Sequence, residues 1–238
     1  MTNLSNGSPG ELARIQANLL AASERRLLTW LCAKMPNWVT PDLLTGTGVL
    51  GAAAMLVGYA ASHHDGDWLW LAIVGCLLNW FGDSMDGSLA RYRRVERPGF
   101  GYFIDHSCDG FATLLILVGI GLSPFVRQDV ALVCLAAYLL LSIHAFLSAR
   151  VLGELKISHV GAGPTELRLV LIAVTLVMMF KGATPAVWGH LSGYDLFFGS
   201  AGIVLLLLFV IQTLITARRL AAQEVALQAH NPSCEPLL

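Results

Sequence analysis

Four aspartates in two pairs are the residues most able to do chemistry in this sequence. Asp83 and Asp86 are three residues apart, and Asp105 and Asp109 are four apart. In helices these spacings place each pair on one face. Residues 92–100 join the two predicted helices, so both pairs lie near the same end. Clustered carboxylates need cations to remain ionised, and all-oxygen ligands favour Mg²⁺ or Mn²⁺. We therefore expect a divalent-metal site, of the kind that also holds substrate phosphates.

A purely structural alternative is that the aspartates form buried ion pairs with arginines of the joining loop. The arginines in question are Arg91, Arg93, Arg94 and Arg97. Their long side chains can largely reach water, and four inward carboxylates exceed any structural need. Ionisable groups at membrane depth mark functional sites by default. The pattern therefore favours chemistry over ion pairing.

The elements that carry these aspartates must lie in a membrane. Charged residues make up 13% of the chain, against about 25% in a soluble domain, and 55% of the residues are hydrophobic. Uncharged runs of about spanning length lie at 43–64, 110–126, 130–149 and 196–217. Shorter runs at 68–82 and 169–180 reach that length only by including charged residues, Asp83 and Asp86 among them. This composition excludes a soluble enzyme, a nucleic-acid binder and a secreted disulfide scaffold.

We expect an all-α integral membrane protein with six transmembrane helices and an N-terminal amphipathic interfacial helix. The six spans are predicted at about 41–62, 68–91, 101–123, 129–149, 165–181 and 196–216. Residues 1–35 form a cytoplasmic segment with the interfacial helix, residues 36–219 the six-span domain, and residues 220–238 a cytoplasmic tail. Thirteen of the fifteen Lys and Arg residues fall on one side of this arrangement. This bias predicts that both termini and the aspartates are at the cytoplasmic face, of the inner membrane if the protein is bacterial.

The aspartate region resembles the signature of the CDP-alcohol phosphotransferases, also called CDP-alcohol phosphatidyltransferases. That signature reads D-x-x-D-G-x-x-A-R, then a short spacer, then G-x-x-x-D-x-x-x-D. All eight fixed positions are filled here, within a stretch of 27 residues. They are Asp83, Asp86, Gly87, Ala90, Arg91, Gly101, Asp105 and Asp109. The stretch from Pro36 to Thr45 is also similar to the entry of the family's first span.

The resemblance implies a mechanism and a role for each site residue. Two metal ions held by the four aspartates would neutralise the diphosphate of a CDP-alcohol, an acceptor hydroxyl would attack phosphorus, and CMP would leave. Asp109 is the implied general base, with a role as metal ligand alone as the alternative. The CDP-binding residues implied by the motif are Gly87, Ala90, Arg91, Gly101 and Thr45. The family also implies a homodimer among membrane lipids.

Two further motifs bear on the substrate. Asp105-His106-Ser107-Cys108-Asp109 and Gly163-Pro164-Thr165-Glu166 resemble motifs of the choline and ethanolamine phosphotransferases, which use a CDP-aminoalcohol and diacylglycerol. His106 is then a candidate for proton removal, and Glu166 for acceptor or headgroup binding. Arg150, Lys156 and Arg168 suit the alternative of CDP-diacylglycerol with a phosphorylated acceptor, although the positive-inside bias explains them equally well. The sequence leaves both substrate sets open.

Two other classes of protein use intramembrane carboxylates. A divalent-cation transporter would place polar groups at midplane and toward the opposite face, whereas the four aspartates sit near one side. An intramembrane prenyltransferase would need two separated aspartate-rich motifs, and one such region is present. The sequence therefore favours the phosphotransferase.

Overall fold

The computed structural model describes residues 21–152 and 163–230, and they are mostly helical. The helices are α1 (Ala21–Lys34), α2 (Pro41–Ala61), α3 (Leu69–Arg93), α4 (Pro98–Gly121), α5 (Gln128–Leu152), α6 (Pro164–Lys181) and α7 (Gly193–His230). A 3-10 turn, Gly66–Trp68, precedes α3, and an antiparallel hairpin of β1 (Ala186–Trp188) and β2 (Leu191–Ser192) precedes α7. The predicted interfacial helix falls partly on residues 1–20, and the end of the predicted tail on residues 231–238. Both ranges lie outside the described residues.

Five helices of the described chain are long and apolar enough to cross a membrane. They are α2, α3 with its preceding turn, α4, α5 and α7. This confirms the prediction of an all-α membrane protein. The remaining predicted span corresponds to α6, which has 18 residues and carries Glu166, Arg168 and Lys181. Because α6 has only 18 residues, its three charges all fall within one 18-residue stretch, whereas each of the five longer helices contains such a stretch with at most two charged residues.

The link between α3 and α4 is shorter than the loop predicted at residues 92–100. Helix α3 continues to Arg93, and α4 already begins at Pro98. Arg94 ends α3 in the left-handed conformation, with φ of 57°. Pro98 has no N–H to leave unpaired and fixes φ for the first turn of α4. The tight reversal brings the end of α3 directly beside the start of α4.

Helices α2 and α3 pack backbone against backbone through glycines. A Cβ atom on Gly51 would lie 2.5 Å from the Asn79 nitrogen and 2.6 Å from the Gly75 oxygen. A Cβ atom on Gly58 would lie 2.5 Å from the Ala72 nitrogen. Small residues allow membrane helices to approach this closely and to gain van der Waals contact where no hydrophobic effect drives association. This packing fixes the register between α2 and α3.

The segment that leads into α2 is held by one arginine of α3. The guanidinium of Arg93 donates hydrogen bonds to the carbonyl oxygens of Met35 (3.1 Å), Pro36 (2.8 Å) and Val39. Thr40 then caps α2 with its side-chain oxygen. These contacts anchor the start of α2 to the end of α3, where the aspartates lie.

The opposite end of the helix set is closed by polar contacts. Asp195, buried at the start of α7, accepts hydrogen bonds from the backbone nitrogens of Arg127 (2.7 Å) and Ser192 (2.8 Å). The hydroxyl groups of Tyr59 and Thr175 lie 2.6 Å apart and join α2 to α6. Both contacts bury polar groups with a partner, as an apolar surrounding requires.

Helix α7 is longer than the predicted span at 196–216. It continues without a break to His230, whereas the sequence indicated only a brief helical extension beyond Arg219. Ala, Gln and Leu in this segment are strong helix formers, and Pro232 lies beyond the observed end.

Candidate active site

The four aspartates line one cleft. Asp83 and Asp86 come from the last turns of α3, and Asp105 and Asp109 from the first half of α4. Helix α2 supplies a further wall of the cleft, including Thr45. The short α3–α4 link and the glycine packing of α2 on α3 together bring these side chains to one place.

Asp86 is the most deeply placed of the four, with 8% of its surface exposed. The Thr45 hydroxyl donates a hydrogen bond to Asp86 Oδ2 over 2.6 Å. The backbone N–H of Gly87 donates to the other oxygen, Oδ1. Each oxygen keeps a lone pair, because a carboxylate oxygen accepts about two hydrogen bonds. The side chain is thus oriented and remains able to bind a cation.

Asp83 is paired with an arginine that reaches across from α6. Arg168 donates from Nη2 to Asp83 Oδ2 over 2.8 Å and from Nε to Asn79 Oδ1 over 3.0 Å. Asn79 in turn donates to the carbonyl oxygen of Gly48 on α2 over 3.0 Å. This network joins three helices beneath the cleft. Arg168, which we predicted to bind the acceptor, is therefore hydrogen-bonded to Asp83, a predicted metal ligand.

Asp105, His106 and Asp109 form a compact group on α4. A ligand atom from each lies within 4.8 Å of the others. His106 Nδ1 is 3.4 Å from Asp105 Oδ2 and 3.9 Å from Asp109 Oδ2. The imidazole packs between Tyr102, with ring centroids 4.3 Å apart, and Phe146, at 5.0 Å. Two aromatic rings and two carboxylates thus fix the orientation of His106.

Four of the five predicted CDP-binding residues lie on α3 and at the start of α4, and these four are not among the described residues that line the cleft. The guanidinium of Arg91 lies next to Gly87: a Cβ atom built on Gly87 would lie 3.3 Å from Arg91 Nη1. Ala90 is half-buried on the same helix, and Gly101 is exposed in the first turn of α4. Thr45 lies at the cleft itself, bound to Asp86.

The predicted acceptor residues are spread over two helices. Glu166 accepts a hydrogen bond from the backbone nitrogen of Gly163 (2.9 Å) with Oε2. Its Oε1 is buried and, within residues 21–152 and 163–230, has no hydrogen-bond partner. The Nη1 atom of Arg168 is buried in the same way. Arg150 is exposed near the end of α5, and none of the three predicted acceptor residues is among the described residues that line the cleft.

Asn79 is a site residue that the sequence reasoning missed. It is buried, and it links the backbone of α2 to Arg168. The signal was present in the sequence, since an amide within an apolar run, four residues before Asp83, lies on the same helix face as that aspartate.

The donor set suits a hard divalent cation. Four carboxylate side chains line the cleft, and Cys108 supplies the one sulfur among the described residues that line it. Mg²⁺ and Mn²⁺ prefer such oxygen ligands. The residues present therefore fit a divalent-metal centre.

The sequence model of the CDP-alcohol phosphatidyltransferase family matches residues 38–216. The chain belongs to this family. The match confirms the membership that the aspartate signature indicated. In this CDP-alcohol phosphatidyltransferase family member, the matched region includes α2 to α6 and most of α7.

Curated relatives of this family member include enzymes with two different names. Cholinephosphotransferase 1 of Gallus gallus is 28% identical over 83% of this chain and 63% of its own length. Cholinephosphotransferase 1 of Homo sapiens is 25% identical over 74% of this chain and 47% of its own length. Phosphatidylinositol phosphate synthase of Cutibacterium acnes is 34% identical over 35% of this chain and 38% of its own length. The chain spans less than two thirds of the length of these relatives.

Proposed function

We propose that this chain transfers a substituted phosphate group from a CDP-alcohol to an acceptor hydroxyl and releases CMP, as a step of phospholipid biosynthesis. The observation that carries the proposal is the single cleft lined by all four aspartates of the family signature. In phosphoryl transfer a protein acts mainly by positioning groups and neutralising charge. A cleft of clustered carboxylates between membrane helices suits that task.

Asp83, Asp86, Asp105 and Asp109 would hold two Mg²⁺ or Mn²⁺ ions. Bound there, such ions would supply positive charge to neutralise the diphosphate and to stabilise the entering and departing oxygens. The protein contributes orientation: Thr45 and the Gly87 N–H fix Asp86, and Arg168 fixes Asp83. Partners of this kind typically determine ligand direction at metal sites.

The CDP group is expected to lie along the exposed face of α3 and the start of α4. Gly87 and Ala90 leave room for a substrate to approach the helix backbone. Arg91 supplies a cation above Gly87 that can pair with a phosphate oxygen. Gly101, without a side chain, leaves the facing surface of α4 open.

Proton removal from the acceptor hydroxyl is assigned to Asp109. Its carboxylate lies at the cleft, and His106 Nδ1 is within 3.9 Å of it. His106 either receives the proton in turn or orients Asp109, because a neutral imidazole nitrogen can act as donor or acceptor. Glu166, with one buried oxygen that has no hydrogen-bond partner in the described chain, is the proposed contact for the acceptor or a cationic headgroup.

A CDP-aminoalcohol with diacylglycerol as acceptor is the substrate pair that we favour. Arg168 is engaged with Asp83 and Asn79, and Arg150 is exposed, so these two of the three cations predicted for a phosphorylated acceptor do not form a common anion pocket in the described residues. The third, Lys156, lies outside the described residues. The relatives named cholinephosphotransferase 1 match a larger share of this chain than the phosphatidylinositol phosphate synthase does. CDP-diacylglycerol with a polar alcohol is the other pair to test.

The proposed topology has six spans, with α6 as the fifth in chain order and both termini in the cytoplasm. The support is that thirteen of the fifteen Lys and Arg residues fall on the side of the aspartates. Helix α1 would lie at the membrane surface, and the cleft would open to the cytoplasm. We also propose a homodimer, as the family resemblance implies, which the mass of the purified protein in detergent would test.

The substrate test offers purified protein two mixtures with Mg²⁺ or Mn²⁺ and measures CMP. One mixture contains CDP-choline or CDP-ethanolamine with diacylglycerol, and the other contains CDP-diacylglycerol with glycerol phosphate or inositol phosphate. We expect CMP in the first mixture only. CMP in the second mixture alone would reverse the assignment of donor and acceptor, and no CMP in either would overturn the proposed function.

A further inference from the structure

One carboxylate oxygen outside the aspartate cleft collects three hydrogen bonds from two other helices. Glu24 Oε1, on α1, accepts from Trp80 Nε1 (3.1 Å) and Ser84 Oγ (3.3 Å) on α3. It also accepts from Thr165 Oγ1 (2.7 Å) on α6. None of these four residues fills a fixed position of the aspartate signature, Thr165 lies in the Gly163–Glu166 motif, and the proposed mechanism does not use any of the four. Hydrogen bonds to a charged group are stronger than those between neutral groups.

The donors lie close in sequence to the Arg168 network on both partner helices. On α3, Trp80 and Ser84 are four apart, and each directly follows Asn79 or Asp83, the two residues that bind Arg168. On α6, Thr165 lies three residues before Arg168. The start of α6 is therefore held on α3 twice, once directly by Arg168 and once through Glu24.

Helix α6 has few other attachments at this end. It packs mainly on α3, and its remaining polar contact to α2, from Thr175 to Tyr59, lies more than two turns further along. An apolar groove lined by Val170, Val174 and Val177 of α6 and by Tyr194 and Phe197 of α7 separates α6 from α7. The position of the Arg168 guanidinium at Asp83 thus depends strongly on the polar contacts at the start of α6.

We propose that Glu24 is a positioning residue for the active site: its carboxylate docks the start of α6 against α3, so that the Arg168 guanidinium reaches Asp83 of the aspartate cleft. The proposal rests on the proposed function for its kinetic consequence, but the docking itself is a structural claim that can be tested alone. On this proposal, α1 also helps to hold α6 against α3, in addition to lying at the membrane surface. Glu24 touches neither the cleft nor a reacting atom, and it acts through Thr165.

The sharpest variant is Thr165→Val, which keeps the shape of the side chain and removes only the donor to Glu24. Thr165→Ser keeps the donor and is the conservative rescue. Glu24→Ala removes the shared acceptor, and Glu24→Gln retains an oxygen that can accept. Thr29→Val is the matched control, because Thr29 Oγ1 donates to the carbonyl oxygen of Arg25 within α1.

Hydrogen–deuterium exchange of the backbone amides of residues 167–172 measures the docking without any substrate. Loss of one charge-assisted hydrogen bond should speed their exchange about tenfold in Thr165→Val and at least as much in Glu24→Ala. Thr165→Ser and Thr29→Val should exchange like the parent protein. Unchanged exchange in Thr165→Val would overturn the proposal, and this outcome can be read even if the protein released no CMP.

Enzyme kinetics then distinguish a role of Glu24 in positioning the active site from a role in the stability of the whole fold. In the CMP assay we expect Thr165→Val to raise KM for diacylglycerol about fivefold to tenfold, with kcat for saturating acceptor reduced less and the thermal unfolding midpoint within a few degrees of the parent. Restoration of KM in Thr165→Ser supports the assignment. A lowered unfolding midpoint with KM unchanged would show a merely structural role and contradict it. Absence of CMP from the parent protein would refute the proposed function, not the docking.

Discussion

The guanidinium of Arg168 donates a hydrogen bond to the carboxylate of Asp83 over 2.8 Å, across the contact between α6 and α3. The residue predicted to recognise an acceptor is thus bound to a predicted metal ligand. A permanent positive charge in the cleft offsets one of four negative charges, which lowers the cost of placing the carboxylates together in a membrane. The same charge repels a metal ion, so Arg168 should influence how much metal the site requires.

Arg168→Gln tests this influence. Removing the guanidinium leaves Asp83 free for the ion, and the Mg²⁺ concentration for half-maximal CMP release should fall about tenfold or more because a nearby positive charge is lost. The maximal rate should fall as well, since Asp83 loses its orientation. Arg218→Gln, an exposed change near the end of α7, is the control. A higher metal requirement in Arg168→Gln would contradict the account and would show that the pairing prepares Asp83 for the metal.

Thr45→Val tests the orientation of Asp86. The change removes the hydroxyl that donates to Asp86 Oδ2 and preserves the shape of the side chain. Loss of such a partner typically lowers metal affinity or activity about 10-fold to 100-fold, so we expect a higher metal requirement that Thr45→Ser restores. The measurement is CMP release against metal concentration.

Thr47→Val is the matched control for Thr45→Val. Thr47 Oγ1 donates to the carbonyl oxygen of Leu43 within α2, away from Asp86. If Thr45→Val changed the affinity for the nucleotide and left the metal requirement unchanged, Thr45 would instead contact the nucleotide, as the family resemblance implied.

Asp109→Asn distinguishes a general-base role for Asp109 from a role as metal ligand alone. The amide cannot accept a proton from the acceptor hydroxyl, so turnover should fall by about 100-fold or more, the usual contribution of a general base. Binding of the CDP-alcohol, measured by calorimetry or ligand-dependent stabilisation, should largely survive because three aspartates and Arg91 remain. Loss of binding together with turnover would indicate that Asp109 serves only as a ligand.

Gly51→Ala tests the packing that aligns Thr45 with Asp86. The new Cβ atom would lie 2.5 Å from the Asn79 nitrogen, and the contact is with backbone, which cannot move aside cheaply. Overpacking of this kind typically costs about 1–3 kcal/mol, so the thermal unfolding midpoint should fall. Gly46→Ala is the control, because a Cβ atom there meets nothing within 4 Å and alanine favours a helix. Equal midpoints for Gly51→Ala and the parent would contradict the close packing.

The sequence predicted the class of fold and the family because both depend on local patterns. Uncharged runs of spanning length and aspartates at helical spacing need no knowledge of tertiary contacts. The partners of individual side chains depend on how helices pack. Arg168 is 85 residues from Asp83, and Glu24 is 141 residues from Thr165, so neither contact has a local signal.

The turn between α3 and α4 shows the same limit on a smaller scale. The predicted loop at residues 92–100 rests on charged residues, whereas the observed helices end where Arg94 adopts φ of 57° and begin where Pro98 fixes the backbone. Charge indicates where a chain leaves the membrane, but helices continue beyond it. Helix α7, which extends to His230, shows the same behaviour.

The most direct test of the central claim is CMP release by the purified protein from CDP-choline and diacylglycerol before and after chelation. We expect CMP to form with Mg²⁺ or Mn²⁺, its formation to stop when EDTA removes the metal, and its formation to resume when the metal is restored. Asp105→Asn should form no CMP under any of these conditions. CMP formation that persists in EDTA or in Asp105→Asn would contradict the aspartate cleft as the metal-dependent catalytic centre.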